Sequence, residues 1–209
     1  MGKFSHPLYS RLYIAARRPM ERMGGAEHRR ELLDGLSGRV LEIGAGSGLN
    51  FAHYPPAVTG VVAVEPEPHF REKAREAAGT APVPVRVEPG FADELEFGDG
   101  EFDAAVCSLV LCSVPDLPGA LAEVQRVIRP GGELRFYEHV RGARSLARVQ
   151  DVLDPVWARA CAGCHINRDA VAAIEQAGFE LARVRRFDFT GWLVRPHVLG
   201  VARRPARRT

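Results

Sequence analysis

The chain has 209 residues, a formal net charge of +2 and a hydrophobic fraction of 46%. This length suits a single α/β domain with a full core. A charge so close to neutral argues neither for nor against a charged partner, and a nucleic-acid partner is not expected. Because no apolar run approaches the ~18 to 20 residues of a membrane span and no secretory signal is evident, the sequence predicts a cytoplasmic protein.

Residues 1–36 precede the alternating part of the chain and are predicted to form a helical cap or lid. Leu8, Tyr9, Leu12, Tyr13 and Ala16 fall on one helical face, with arginines elsewhere. We expect this helix to pack on the domain or to close over its ligand. A helix lying on a membrane surface is the less favoured alternative.

The first strand, predicted over 39–43, leads into a turn with three alternating glycines, Gly44, Gly46 and Gly48. Glycine lets a backbone turn tightly and approach a ligand where a Cβ would collide. A dinucleotide site would show G-x-G-x-x-G, but Leu49 stands where the third glycine would fall. The spacing is instead E-x-G-x-G-x-G, beginning at Glu42, and it disfavours an NAD-linked oxidoreductase.

The next predicted strand, 61–65, ends in a second acid, Glu65. A carboxylate beside the glycine turn suits a cofactor that bears an ammonium and a sulfonium. A carboxylate at the end of the next strand can accept hydrogen bonds from ribose hydroxyls. S-adenosylmethionine has all of these groups, so the turn and its two acids predict an S-adenosylmethionine site. A tight βα connection without a ligand is the alternative.

The remaining elements alternate as a doubly wound parallel sheet requires. The sequence predicts helices over 47–53, 67–78 and 117–128, strands over 83–87, 103–109 and 132–138, a helical region over about 144–177 that is broken near Gly163, and closing strands over about 179–187 and 192–202. Residues 37–203 are thus one predicted domain. Residues 204–209 form a basic tail, for which a frayed, solvated end is expected.

The four cysteines are expected to be reduced in a cytoplasmic protein. Cys161, Cys164 and His165 match the C-x-x-C-H pattern of haem attachment, which needs export and is disfavoured here. A zinc knuckle would need a second ligand pair at suitable spacing; none is apparent, and no metal site is predicted. Cys107 and Cys112 are predicted to pack as small apolar residues, with Cys112 alternatively lining a substrate pocket.

Four segments resemble the class I S-adenosylmethionine-dependent methyltransferases of the UbiE-like, type 11 group: LEIGAGSG at 41–48, GDGEFDAAV at 98–106, VPD at 114–116 and VIRPGG at 127–132. A narrower likeness is to the methyltransferase-like family that includes membrane-associated alkyl thiol methyltransferases, over 50–56, 107–114, 138–140, 153–157, 163–164 and 193–197. The resemblance covers about 38–202. It implies an α/β Rossmann-like, doubly wound, seven-stranded sheet whose last strand is antiparallel. It also implies methyl transfer to sulfur, oxygen or nitrogen of a small molecule, with S-adenosylhomocysteine as product.

The resemblance further implies cofactor contacts. Glu42 would meet the methionine end, Glu65 the ribose hydroxyls, and Phe91 would stack on adenine where relatives often carry an acid. The Ala92 amide or Asp93 would read the adenine edge. The full predicted set is Glu42, Gly44, Ala45, Gly46, Asn50, Glu65, Pro66, Phe91, Ala92, Ser108 and Leu109.

Methyl transfer from a sulfonium is an in-line displacement, so the protein chiefly aligns donor and acceptor and excludes water. A base is needed only if the acceptor arrives protonated, and the predicted catalytic candidates are Glu138, His139 and His165, with His197 behind them. Adjacent strand residues point to opposite sides, so only one of Glu138 and His139 should face the pocket. A structural role is the alternative for each histidine, and a non-catalytic S-adenosylmethionine-binding protein is the alternative for the chain. The sequence does not indicate an oligomeric state.

Overall fold

The computed structural model describes residues 7–189, 191 and 193–206. Within these ranges the strands are β1 (Gly38–Ile43), β2 (Val58–Val64), β3 (Val85–Glu88), β4 (Phe102–Ser108), β5 (Ile128–His139), β6 (Glu180–Asp188) and β7 (Pro196–Arg203). The helices are α1 (Pro7–Met20), α2 (Ala26–Leu33), α3 (Pro68–Ala78), α4 (Leu117–Val127), α5 (Arg144–Ala160) and α6 (Ala170–Gln176). A π-helical turn, Glu21–Gly25, joins α1 to α2, and a single 3-10 turn covers Phe51–His53.

The seven described strands form one sheet in the order β3-β2-β1-β4-β5-β7-β6. β1 pairs in parallel with both β2 and β4, whereas β7 runs antiparallel to β5 and β6. This confirms the predicted fold class, including the antiparallel last strand. The order reverses between β1 and β4, and ligands of open α/β sheets bind at the carboxyl ends of the strands beside such a reversal.

The central strands are apolar on both faces because helices cover both sides of the sheet. One face packs Leu41 and Phe136 against Leu121 of α4 and neighbouring residues. The other face packs Val40 and Tyr137 against Leu32 of α2 and neighbouring residues. Since α2 lies within this second core cluster, it is part of the domain's packing and not an appendage.

α1 packs differently from its predicted amphipathic pattern. Leu12 is 63% exposed and Ser10 is buried, while the Tyr13 ring meets the Phe70 ring of α3 edge-on at 5.7 Å. The side chains of Leu8 and Tyr9 lie outside the described part. Of the described members of the predicted apolar face, Tyr13 contacts the body of the domain and Leu12 faces solvent.

Two predicted boundaries are wrong for backbone reasons. The helix predicted over 47–53 is limited to the 3-10 turn Phe51–His53, because Gly48, inside the predicted range, has a φ of +79°. β5 begins at Ile128 and not at residue 132, and its pairing with β4 shifts register between Phe102 and Ala104. That irregularity lets the strand run through the Pro-Gly-Gly segment that was expected to separate helix from strand.

The closing strand β7 starts at Pro196, later than the predicted residue 192. The predicted solvated tail is attached at its start: the Arg204 amide donates to Gly132 O at 2.9 Å, and its guanidinium donates to Arg126 O at 3.0 Å. Residues 207–209 of that tail lie outside the described part. No helix in the described ranges is long and apolar enough to cross a bilayer.

Candidate active site

The glycine turn is held close to β2 and opens on its other side. The amides of Gly44 and Ala45 donate to Val64 O at 2.8 and 3.2 Å. A Cβ on Gly44 would lie 2.2 Å from Cγ2 of Val110, so only glycine fits there, and its φ is +62°. A Cβ on Gly46 would meet no heavy atom within 4 Å. The turn therefore leaves space beside Gly46 for a ligand to approach the backbone.

Glu65 follows β2 directly and borders this space. Its Oε2 accepts the Gly46 amide and its Oε1 accepts the Glu67 amide, both at 2.9 Å. Each carboxylate oxygen has a second lone pair, so the group can still accept hydroxyl hydrogens. Burial raises the pKa of Glu65, with the two backbone donors opposing the shift. The position and acceptor capacity of Glu65 fit the predicted contact to ribose hydroxyls.

Glu42, the acid before the glycines, is buried and fully engaged within the protein. Asn50 Nδ2 donates to one of its oxygens at 2.9 Å and the Tyr54 hydroxyl to the other at 2.6 Å. Burial raises the pKa of Glu42 to about 7, against the lowering effect of these two donors. In the structure Glu42 braces the turn through Asn50, and its contact with the methionine end of a cofactor stays a prediction.

Arg29 of α2 is a site residue that the sequence analysis missed. Its Nη1 donates to Asn50 Oδ1 at 2.7 Å and to Ser108 Oγ at 3.1 Å, and its Nε lies 3.1 Å from the Glu21 carboxylate. Arg29 is buried although it stands in a run of charged residues that resembles a solvated helix face. It joins two predicted cofactor contacts, Asn50 after β1 and Ser108 at the end of β4, from the N-terminal side of the chain.

The predicted adenine side lies on the next loop. The Phe91 ring is 39% exposed and its backbone bridges to Glu94, while Ala92 packs partly against the core. The Pro66 carbonyl is occupied by Arg71 Nη1 at 2.7 Å. The exposed ring is compatible with stacking on a base, and the roles of Phe91, Ala92 and Pro66 stay predictions.

The carboxyl end of β4 is shaped by an unusual backbone and by Glu138. Leu109 has a φ of +56°, a conformation that non-glycine residues rarely adopt outside constrained sites. Glu138 Oε1 accepts the amides of Val110 and Leu111 at 3.0 and 3.1 Å. Burial raises the pKa of Glu138 to about 7, against these backbone donors. Glu138 therefore fixes the loop after β4.

His139 points to the other side of β5 from Glu138, as predicted for neighbouring strand residues. Its Nε2 lies 3.2 Å from Cys164 Sγ, and that sulfur lies 3.7 Å from Cys112 Sγ. Cys112 is buried as predicted, but its sulfur faces polar partners and not only apolar packing. The hydrogen bond to Cys112 and burial raise the pKa of Cys164. Cys107, by contrast, lies in the apolar core as predicted.

His165 lies at the same edge and is oriented by an acid. Its Nδ1 is 2.7 Å from Asp154 Oδ2, and Asp154 Oδ1 accepts the Ile166 amide at 2.8 Å. The His165 amide donates to Cys112 O at 2.8 Å, which joins the two loops. His165 was predicted from the sequence, whereas its partner Asp154, 11 residues earlier on α5, was not.

Sequence comparison with known proteins identifies the family to which the chain belongs. Residues 41–136 match the methyltransferase domain family. The human thiol S-methyltransferase TMT1A is 36% identical over 192 residues, which cover 85% of this chain and 78% of that protein. The human thiol S-methyltransferase TMT1B is 39% identical over 180 residues, covering 81% and 73%. The chain belongs to the S-adenosylmethionine-dependent methyltransferases.

Solved methyltransferase structures share the fold. An S-adenosylmethionine-dependent methyltransferase from Thermotoga maritima superposes with a TM-score of 0.70 at 21% identity, covering 94% of this chain and 97% of that one. One from Methanosarcina mazei gives a TM-score of 0.64 at 22% identity, covering 81% and 93%. The cofactor of the family is S-adenosylmethionine, and the open space beside Gly46 next to the Glu65 carboxylate fits it.

Proposed function

We propose that this methyltransferase transfers the methyl group of S-adenosylmethionine to the sulfur of a small apolar thiol. The two human relatives are thiol S-methyltransferases, and their similarity extends over more than four fifths of the chain. The observation within the molecule that carries the proposal is the pairing of His165 with Asp154 at the carboxyl edge of the sheet.

This pair favours a thiol over other acceptors for a reason of acidity. Asp154 occupies Nδ1 of His165, which leaves Nε2 as the ring nitrogen available to accept a proton. A thiol, with a reference pKa near 8.5, gives up its proton more readily than a phenol near 10 or an alkylammonium group near 10.4. His165 is therefore best matched to removing a thiol proton.

The cofactor, when bound, supplies a methyl group activated by its sulfonium. The buried guanidinium of Arg29, beside Asn50 and Ser108, would pair with the carboxylate of its methionine end. Glu65 would accept the ribose hydroxyls from the other side of the glycine turn. These contacts would fix the direction from which the methyl carbon meets the acceptor.

On the acceptor side the chain contributes rigidity and an apolar wall. Glu138 holds the amides of Val110 and Leu111, and the Val110 side chain packs directly against Gly44. The acceptor loop and the cofactor turn are thus in direct contact. Alignment of this kind supplies much of the rate enhancement in an in-line transfer. The small-molecule acceptor and the cytoplasmic location remain predictions.

The test uses three acceptors that share a phenyl ring, an alkyl thiol, a phenol and an alkylamine, offered to the purified full chain with S-adenosylmethionine. Mass spectrometry of the methylated product and of S-adenosylhomocysteine gives the rates. We expect kcat/KM for the thiol to exceed that for the other two by at least about 100-fold, from the better acidity match. Faster methylation of the phenol or the amine would overturn the thiol assignment.

His165→Asn and Asp154→Asn test the base in the same assay. General base catalysis typically contributes about 100-fold or more, so kcat for the thiol should fall by about that factor in His165→Asn. The affinity for S-adenosylhomocysteine should stay within about twofold, because neither residue borders the glycine turn. Raising the assay pH toward the pKa of the acceptor thiol should partly restore the rate, because more of the thiol is then ionised. A variant with unchanged kcat would remove His165 from the reaction.

A further inference from the structure

Two sulfurs and one imidazole nitrogen meet at the acceptor edge, and their spacing is that of a metal site. Cys112 Sγ, His139 Nε2 or Nδ1 and Cys164 Sγ all lie within 4.8 Å of one another. Cys164 lies 25 positions after His139 and 52 after Cys112 along the chain, so no second ligand pair for a zinc site is evident from sequence spacing. Cys161, which the C-x-x-C spacing would have paired with Cys164, is absent from this group.

The distances match tetrahedral coordination. Two sulfurs bound to one Zn²⁺ at about 2.3 Å lie about 3.7 Å apart, and a sulfur and an imidazole nitrogen lie about 3.5 Å apart. The observed separations are 3.7 Å between Cys112 and Cys164 and 3.2 Å between Cys164 and His139. These two separations lie within a few tenths of an ångström of those around a bound ion, and the third, between Cys112 and His139, is below 4.8 Å.

The ligand chemistry selects the metal. Two thiolates and an imidazole are preferred by Zn²⁺, whereas Mg²⁺ and Ca²⁺ take oxygen ligands, which this group does not provide. Three protein ligands with a fourth position left for a small molecule are the arrangement of a catalytic zinc, and structural zinc sites use four. Cys112 and His139 are buried and Cys164 is half-buried, so the fourth position would open on the Cys164 side.

The backbone around the two cysteines is held by hydrogen bonds, whereas the Nδ1 atom of His139 is buried without a hydrogen-bond partner. Arg168 Nη1 donates to Leu111 O and Val114 O at 2.7 and 2.6 Å, on either side of Cys112. The His165 amide ties the loop of Cys164 to Cys112 O at 2.8 Å, and His139 ends the paired strand β5. Contacts of this kind set the orientation of metal ligands.

We propose that Cys112, His139 and Cys164 bind Zn²⁺ and that the acceptor thiol occupies the fourth position as a thiolate. The metal site stands on its own geometry, whereas its fourth ligand rests on the proposed function. The site lies beside the cofactor turn, because Val110, two residues before Cys112, packs against Gly44.

The reaction balances without a further reagent. The acceptor R–SH binds the zinc as R–S⁻, and its proton passes to Nε2 of His165. A sulfur lone pair forms the new bond to the methyl carbon of the sulfonium, whose old C–S bond breaks with both electrons staying on the departing sulfur. The products are a neutral thioether and S-adenosylhomocysteine, and His165 returns its proton to water. A thioether is a weaker zinc ligand than a thiolate, which favours product release.

The metal is tested without reference to activity. The purified full chain is stripped with a chelator under reducing conditions and titrated with Co²⁺, whose thiolate charge-transfer and tetrahedral d–d absorptions report the ligands, and then with Zn²⁺. We expect one Co²⁺ per chain, displaced by one Zn²⁺. Cys112→Ser and Cys164→Ser should lose most of the charge-transfer intensity, while the matched control Cys161→Ser should keep it. Adding a small thiol to the Co²⁺ form should change the d–d bands.

Several results would overturn the proposal. These are absence of stoichiometric binding at micromolar concentration, an equal loss of signal in Cys161→Ser, or a Cys112–Cys164 disulfide as the resting state, seen by mass as the loss of two hydrogens. If a serine variant fails to fold, X-ray absorption of the zinc-loaded wild-type chain decides the ligand set, which must contain sulfur and imidazole nitrogen. Thiol methylation that is unchanged in stripped protein would overturn the acceptor's place on zinc but leave the proposed function intact. Zinc binding without any thiol methylation would overturn the proposed function, and with it the acceptor's place on zinc, but leave the metal site itself intact.

Discussion

Arg29 places a positive charge beside the cofactor turn, and its removal has a measurable consequence. Hydrogen bonds to charged groups contribute about 1.5 to 3 kcal/mol, so Arg29→Met should weaken S-adenosylhomocysteine binding by roughly 10- to 100-fold. The matched control is Arg30→Met, because Arg30 is the exposed neighbour on the same helix. Calorimetry on variants with normal circular dichroism gives the affinities. Equal affinity in both variants would contradict a cofactor contact at Arg29.

Glu42 should make the stability of the fold depend on pH in an uncommon direction. Its pKa is raised from 4.5 to about 7, so the folded chain holds this proton more tightly than the unfolded chain does. The resulting stabilisation is complete below about pH 4.5 and is lost as the pH rises through 7; a shift of this size corresponds to about 3 kcal/mol. Glu42→Gln should flatten the profile by that amount.

Urea unfolding of both proteins between pH 4.5 and 8 measures this difference. Glu138 shifts in the same direction, so the slope should shrink in Glu42→Gln without disappearing. A variant profile parallel to that of the wild type would show that Glu42 is ionised in the folded chain throughout this range.

Single site residues were predictable where a local pattern marks them. Glu65 and the three glycines stand next to a recognisable strand, and the structure puts them where the pattern indicated. No local sequence pattern distinguishes Arg29 or Asp154 from other charged residues of their helices. Each acts through a partner that only the tertiary fold supplies, Ser108 for Arg29 and His165 for Asp154.

At the scale of elements, the contact between the glycine turn and the loop after β4 is the tightest point of the site. Gly44→Ala would place a Cβ 2.2 Å from Val110 and would also strain a backbone at φ +62°. Gly35→Ala is the matched control, because its φ is +73° and nothing lies within 4 Å of an added Cβ. We expect Gly44→Ala to cost about 1 to 3 kcal/mol more than the control, from overpacking in addition to strain.

The double variant Gly44→Ala/Val110→Ala should recover part of that difference, because it removes the atom that the new Cβ meets. Denaturant unfolding gives the free energies. Equal losses in Gly44→Ala and Gly35→Ala would show that the loop yields to the extra methyl group, and that the two segments are not rigidly matched.

Elements buried in the middle of the sheet were the easiest to predict. β1, β2 and β4 are short apolar runs that parallel packing requires, and their predicted positions agree with the structure to within a few residues. Errors fell where the backbone departs from regular repeats: the positive-φ turn after β1 and the register shift at the start of β5. The three zinc ligands lie on separate elements, and no periodicity in the sequence connects them.

For the whole molecule, the N-terminal segment divides into a dispensable part and an essential part. Leu32 and Leu33 are completely buried, and truncating one such leucine to alanine typically costs about 2 to 5 kcal/mol. Against a total stability of about 5 to 15 kcal/mol, deletion of residues 1–34 should unfold the domain. Deletion of residues 1–19 should leave it folded, because α1 is attached through half-buried side chains such as Tyr13.

The shorter deletion tests whether α1 covers the cofactor. We expect it to lower kcat/KM by at least about 10-fold while the melting temperature falls by only a few degrees, since lids exclude water and add little to the central fold. Full activity after this deletion would contradict a covering role. The membrane-surface alternative instead predicts binding of the full chain to anionic vesicles, lost on deletion without loss of turnover.

The direction of β7 determines at which edge of the sheet a tag or a sensor surface can be attached without blocking the site. Because β7 returns antiparallel to β5, Arg203 lies at the edge where β5 begins, and Arg204 is hydrogen-bonded there to Gly132. A fluorescent domain or sensor surface joined through the far side of the tail would therefore face away from the glycine turn and the acceptor edge. Oriented immobilisation by that route should leave the glycine turn and the acceptor edge toward the bulk solution, whereas coupling through α1 would crowd the ligand-binding side if α1 covers the cofactor as predicted.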